Sequence, residues 1–341
     1  MVRRLRQMMM VVKAMSTSAQ GAWDALRDGS GEFEFELEYV LQRPPAPTGI
    51  GILDTKLGGG LHSGTYTIIG GDPGSGKTAI ACKAAYTLAT SHMHPIFYSF
   101  EMTKMQLVSR LLSVHTRANR DRLETVKWSD LRDMLMMTEA ERRMVADADR
   151  RTQYEAVMRY VSRHREDDAV LRAWYDFRDE VYPHMIVRDD MQDIAQVTDE
   201  VACLCNAGIR PCVIVDYLQL AAAGDNDEYQ LVTKASHALQ KMAKQQNIPV
   251  LLVSSLRNLN KSERDDDPQL SQFRGSGHVG YDAGAAIVLR KSGGLVNHKG
   301  IGICQRVTAF VIKNRFGEVG EVDLDFNGAM NIFAPPIGGN E

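Results

Sequence analysis

The chain has 341 residues, 44% of them hydrophobic, and its 40 lysines and arginines nearly balance 43 aspartates and glutamates for a formal charge of −3. This length and apolar content support a large buried core and exclude an intrinsically disordered chain, while the lack of any apolar run of spanning length excludes a helical membrane protein and points to the cytoplasm. The near-neutral charge gives no global basic signature, so any contact with nucleic acid has to come from local patches or from loops gathered around a symmetry axis.

In chain order, residues 1–28 suggest a basic amphipathic helix, with Arg3, Arg4, Arg6 and Lys13 around a Met/Val cluster, which Gly29-Ser30-Gly31 breaks. It is either a helix that packs on a neighbour or a loosely held terminus. A Pro-rich connector, Pro44-Pro45-Ala46-Pro47, follows. The domain plan is therefore a helix and linker over 1–47, an α/β domain over 48–335, and a tail over 336–341.

Strand-like runs fall at 66–70, 95–100, 185–187, 212–217, 249–254, 285–289 and 307–312, with helical patterns between most of the early ones. Such alternation predicts a mostly parallel sheet flanked by helices with right-handed crossovers. Period-two patterning and turn residues over 301–333 predict antiparallel strands at the carboxyl-terminal edge. The stretch 121–183 is dense in Arg, Asp and Glu, with apolar residues at helical spacing, and is expected to be an inserted helical layer whose charges are solvated.

Five cysteines, an odd number, do not suit a disulfide framework; Cys203, Cys205 and Cys212 have the wrong spacing for a metal site and are expected to be buried thiols.

The octapeptide Gly71-Asp72-Pro73-Gly74-Ser75-Gly76-Lys77-Thr78 fits G-x-x-x-x-G-K-[ST] and stands between an apolar strand and a helical pattern over 79–91. Its glycines allow backbone N–H groups to turn toward phosphates, Lys77 is the cation for the β- and γ-phosphates, and the Thr78 hydroxyl is a ligand for Mg2+. Val213-Ile214-Val215-Asp216 is an apolar strand ending in a carboxylate, the form taken by an acid that holds the Mg2+ hydration shell, partly through water. A second such strand ends at Phe100-Glu101 and is expected beside the P-loop strand, which makes Glu101 a candidate general base. Capping of the next helix is its other role.

On these residues and several further phrases the chain resembles the motor domain of the DnaB-type hexameric replicative DNA helicases, which are RecA-like P-loop ATPases. The phrases are Thr48-Gly49-Ile50-Gly51-Ile52-Leu53-Asp54, Gly58-Gly59-Gly60-Leu61, Ser99-Phe100-Glu101-Met102, and Asp216-Tyr217-Leu218-Gln219-Leu220. The resemblance implies ATP and Mg2+ as cofactors and Glu101 as the catalytic base. It also implies a homo-hexamer with active sites shared between subunits and movement on single-stranded DNA with 5'-3' polarity. Lys313-Asn314-Arg315-Phe316-Gly317 is similar to the turn from which a lysine and an arginine finger reach a neighbouring subunit, and Phe273-Arg274-Gly275-Ser276-Gly277 to the channel loop that holds the DNA backbone through Arg274, Gly275 and Gly277.

Two departures accompany the likeness: Ser254-Ser255-Leu256 stands where the family has Ser-Gln-Leu with a γ-phosphate-sensing glutamine, and Gly275 stands where it has a glutamate. The amino-terminal collar domain is not expected, which suggests a compact phage or plasmid form in a bacterial host, with a primase or helicase loader as a further partner. A RecA-like, DNA-dependent ATPase that loads or remodels proteins on DNA without processive unwinding is the alternative, and a small-molecule kinase a third. Aromatic stacking on DNA bases is not indicated, since Phe273 and Tyr281 are assigned to the core.

Overall fold

A computed structural model describes residues 44–121, 123–127, 143, 149–164, 168–221, 228–257, 266–274 and 277–337. The helix expected over 1–28 lies outside the described residues, and of the unit Met1–Pro45 only Pro44 and Pro45 are described. The second unit begins at Ala46.

Among the described residues of that unit, nine strands form one sheet: β1 (Tyr66–Gly71), β2 (Pro95–Ser99), β3 (Ile186–Arg188), β4 (Cys212–Asp216), β5 (Val250–Val253), β6 (Ala285–His298), β7 (Gly302–Asn314), β8 (Gly320–Asn327) and β9 (Ile332–Ala334). Their order is β3-β2-β4-β5-β1-β6-β7-β8-β9. The first six strands are parallel and the last three joined antiparallel, as the alternating and then period-two patterns predict. The helices are α1 (Gly51–Lys56), α2 (Lys77–Thr90), α3 (Lys104–Ala118), α4 (Arg150–His164), α5 (Ala169–Glu180), α6 (Ile194–Asn206), α7 (Leu218–Ala221), α8 (Glu228–Gln246) and α9 (Gly277–Asp282). Among the described residues no helix is long and apolar enough to cross a membrane.

Successive strand side chains point to opposite faces, and the central strands are apolar on both. Phe97, Ile214, Leu251, Val253 and Ile287 pack on one face with α2, α3 and α5. Ile96, Tyr98, Val213, Val215, Val250 and Leu252 pack on the other with α6 and α8. A sheet covered on both sides explains why β4 and β5 are near-continuous Val/Ile/Leu runs, and why β1 and β2 are buried at every position rather than at alternate ones.

Several expectations are corrected. β2 lies between β3 and β4, not beside β1, whose two edges are taken by β5 and β6; chain order alone does not set strand order in a doubly wound sheet. Not every charge of the stretch 121–183 is solvated, since Asp168 is buried. Asp168 caps α5 by accepting from the Val170 and Leu171 N–H groups, and Leu171, Ala173 and Phe177 are buried. His115 on α3 is 2.7 Å from the Asp176 carboxylate through Nε2, and Phe177 packs edge-on to its ring.

β6 and β7 run far past the predicted 285–289 and 307–312, because an irregularity between Lys291 and Leu295 lets pairing continue through the Gly293-Gly294 stretch. Cys205 and Cys212 are buried as expected, but Cys203 is exposed on the solvent side of α6, and all five cysteines are free. Phe273 is in the core, while Tyr281 is 59% exposed.

Replacing Phe177 by Ala should cost about 3–4 kcal/mol through the cavity it leaves. A urea midpoint unchanged from wild type would show that α5 is peripheral to the core.

Candidate active site

β1 is buried along its whole length and delivers Gly71 to the carboxyl edge of the sheet. The chain then turns through residues 72–76 and enters α2 at Lys77. Gly76 caps the helix at φ 98°, in the left-handed region, and a Cβ there would lie 2.7 Å from the Phe333 ring. Both facts demand glycine. Phe333 stacks on Phe326 at 4.6 Å between centroids, so β8 and β9 buttress the loop. The first turn of α2 carries no acidic residue, and its N–H groups face the loop with the favourable end of the helix dipole for an anion.

The Lys77 ammonium donates to the carbonyls of Gly71 (2.8 Å) and Asp72 (3.1 Å). Burial pulls its pKa below the usual lysine value, opposed by the charges of Asp216, Asp72 and Glu101. The Ser75 hydroxyl is buried without a hydrogen bond.

Asp216 ends β4 and is 1% exposed. Neither of its carboxylate oxygens makes a hydrogen bond of ordinary geometry. Desolvation pushes its pKa up to about 6, with the Glu101 charge adding to the rise and Thr78, Lys77 and Arg110 favouring the ionised form. Ser99 of β2 pairs in register with Asp216, and the Phe100 N–H donates to the Asp216 carbonyl at 2.7 Å. That bond brings the exposed Glu101 to the same edge. The helix that follows has its own cap, a Thr103/Gln106 capping box, so Glu101 is not needed for it. Lys77, Thr78, Glu101 and Asp216 therefore converge.

Lys313 and Arg315 do not join them. In β7 Lys313 pairs with Ala286, at the amino end of the parallel strands, and the Arg315 N–H donates to the Gly284 carbonyl at 2.9 Å. Four residue steps along β1, from Thr67 opposite Ala285 to Gly71 opposite Leu289, separate the two ends, about 13 Å of strand at the usual rise. The Lys313 ammonium donates to the carbonyls of Gly280 (3.3 Å) and Tyr281, and burial lowers its pKa, helped by Arg315.

The exposed Arg315 stands on a turn that is firmly seated. The Asn314 amide donates to the Lys56 carbonyl at 2.9 Å, the Phe316 N–H donates to the Asn314 side-chain oxygen at 3.0 Å, and Phe316 stacks on His62 at 4.0 Å.

Arg274 is exposed and follows the buried Phe273; Gly277 opens α9, and Gly275 lies outside the described residues. The Arg274 N–H donates to the Ser255 carbonyl at 3.0 Å, which fixes this loop to the segment after β5.

The model of the DnaB-like helicase C-terminal domain matches residues 46–335. The chain belongs to this family. It is 28% identical over 84% of its length to a replicative DNA helicase DnaB of Leifsonia xyli subsp. xyli, covering 55% of that protein. It is 25% identical over 84% of its length to a probable plasmid replicative DNA helicase of Chlamydia muridarum, covering 54% of that protein. The chain thus spans about half the length of these curated relatives.

Among solved structures, one ATPase domain superposes with a TM-score of 0.65 at 21% identity, over 91% of this chain and 98% of that one. A DnaB-like replicative helicase whose interactions with primase were studied superposes with a TM-score of 0.63 at 21% identity, over 98% and 76%. These likenesses establish the RecA-like fold of the DnaB ATPase domains.

Within this DnaB-like frame, several contacts escape the sequence reading. Gln219 makes three hydrogen bonds across the site's floor. Arg110, whose charge reaches Asp216, donates to Asn331 at 3.1 Å from the far end of the chain. The Lys291 ammonium stands over Gly74. No local pattern shows these contacts, because each partner is tens to hundreds of positions away.

The donor set fits a divalent cation: a buried carboxylate with no hydrogen bond of ordinary geometry, facing the Thr78 hydroxyl. Because the Asp216 pKa is raised, its contribution to stability is present below about pH 4 and lost as pH rises through about 6. Asp216→Asn should raise the melting temperature of the nucleotide-free protein at pH 8 by a few degrees, with the gain fading toward pH 4. A difference between the two proteins that does not vary with pH would contradict the assignment.

Proposed function

We propose that this chain is an ATP-driven replicative DNA helicase whose hydrolytic sites are shared between copies in a hexameric ring that moves on single-stranded DNA. The observation that carries the reading is the separation of parts: Lys77, Thr78, Glu101 and Asp216 sit at one end of the sheet and Arg315 at the other, too far for one copy to unite them. A second copy presenting its turn 314–318 completes the set. Family membership and relatives named replicative helicases support the DNA-unwinding role.

In this mechanism the loop N–H groups and Lys77 hold the β- and γ-phosphates of ATP, and Ser75 and Thr78 offer their hydroxyls. Thr78 and, partly through water, Asp216 would hold Mg2+, which would supply charge neutralisation at the phosphates. Glu101 accepts a proton from the attacking water. The water oxygen bonds to the γ-phosphorus as the bond to the β–γ bridging oxygen breaks, giving ADP and phosphate. The neighbour's Arg315 stabilises charge on the transferred group, and Lys313 orients that turn, so hydrolysis requires assembly. Arg274, with the backbone of Gly275 and Gly277, contacts the DNA phosphates. A primase or helicase loader is a further partner.

Lys77→Ala should abolish hydrolysis; Glu101→Gln should bind ATP but turn over at least about a hundredfold more slowly. Arg315→Ala should lose about a thousandfold with nucleotide affinity preserved. Mixing Glu101→Gln with Arg315→Ala protein should restore hydrolysis, since some interfaces then pair an intact Glu101 with an intact Arg315. Mixed samples as inactive as their components would refute catalysis across an interface, and absence of strand separation on a forked substrate would refute the helicase reading.

A further inference from the structure

Gln219 lies three residues beyond Asp216, in the first turn of α7, and is 8% exposed. Its amide Nε2 donates to the Ser254 hydroxyl at 2.9 Å and to the Arg274 carbonyl at 2.8 Å, and its Oε1 accepts from the Ser255 N–H at 3.1 Å. The orientation is unambiguous: reversing the amide would set its oxygen against the Arg274 carbonyl and its NH2 against the Ser255 N–H.

Each of the three contacts belongs to a different part of the machine. Ser254 N–H donates to the Ile69 carbonyl at 2.9 Å, two residues before the phosphate loop begins, so Ser254 moves with β1. The Ser255 backbone starts a short antiparallel pairing in which Arg274 N–H donates to Ser255 O (3.0 Å), Leu256 bridges Phe273, and Arg257 N–H donates to Gln272 O (2.9 Å). Arg274 is the residue proposed to touch DNA. The Ser255 hydroxyl itself is buried with no hydrogen bond, so the Ser255 side chain makes none of these connections.

We propose that Gln219 is the positioning residue that couples the nucleotide end of β4 and β1 to the Arg274 loop, acting as a three-way amide clasp. This rests on the proposed function, in which Arg274 meets DNA. A displacement at the end of β4 moves Gln219 directly, because only Tyr217 and Leu218 intervene. Both the donor and the acceptor of one planar amide then pull on the Arg274 carbonyl and the Ser255 N–H together. Only a primary amide of this length satisfies the set: a carboxylate would face the Arg274 carbonyl with a negative charge, and a shorter side chain would leave two buried groups unmatched.

The test uses full-length protein carrying Gln219→Glu, which keeps the shape, and Gln219→Ala. The first readout is hydrogen exchange at the Arg257 and Arg274 amides with and without a non-hydrolysable ATP analogue and Mg2+. The second is the ratio of hydrolysis rates with and without an oligo-dT strand. Wild type should show a nucleotide-dependent change in exchange that Gln219→Glu loses, and the variant's DNA stimulation should fall about fivefold or more while its nucleotide Kd stays within about twofold. A Gln219→Glu protein that retains the exchange response overturns the proposal, as does one in which only the melting temperature drops. If wild-type hydrolysis is not stimulated by the strand, the helicase reading fails, while the exchange comparison still decides the role of Gln219.

Discussion

The burial of Asp216 governs the arrangement around it. A carboxylate at the end of a strand enclosed on both faces, with no hydrogen bond of ordinary geometry to either oxygen, is an unfavourable group in isolation. What makes it tolerable is a surround of cationic and hydroxyl groups, Lys77, Arg110 and Thr78, drawn from α2 and α3. Its main-chain carbonyl holds the Phe100 N–H and thereby Glu101. Three residues on, Gln219 extends the same strand end toward Ser255 and Arg274.

The carboxyl-terminal antiparallel strands serve both ends of the sheet. At one end β8 and β9 place the stacked Phe326 and Phe333 against Gly76, where no side chain can be accommodated. At the other, β7 runs into the turn that bears Arg315, which is held by Lys56, Gly284 and His62. Because β7 pairs along β6, and β6 along β1, these two ends are joined by a single ladder. In the proposed ring, a neighbouring copy engaging the Arg315 turn would press on the same sheet that carries the phosphate loop.

Much of the site is legible in local patterns. The spacing of Gly71, Gly76, Lys77 and Thr78 and the apolar runs ending in Asp216 and Glu101 are properties of short segments, and backbone geometry turns them into a loop and two strand ends wherever the strands lie. The alternation of strands and helices likewise specifies a parallel sheet with antiparallel strands at the edge. The position of β2 is not legible in this way, because pairing partners are chosen by crossover packing, not by order along the chain. The burial of Asp168 in a charged segment and the exposure of Tyr281 run against expectation for a related reason: composition reports the average of a helix, not which face its neighbours cover.

Read as a string of residues, the chain already dictates a phosphate loop over 71–78 and acids at the ends of two apolar strands, since these depend on backbone freedom and strand periodicity within a few residues. It takes the packed fold to bring Asp216, Glu101 and Lys77 into one electrostatic environment while leaving Arg315 at the far end of the sheet. The same packing is what lets Gln219 clasp Ser254, Ser255 and the Arg274 carbonyl. Those are distances between residues tens to hundreds of positions apart, and they are set by strand order and packing, which no local pattern encodes.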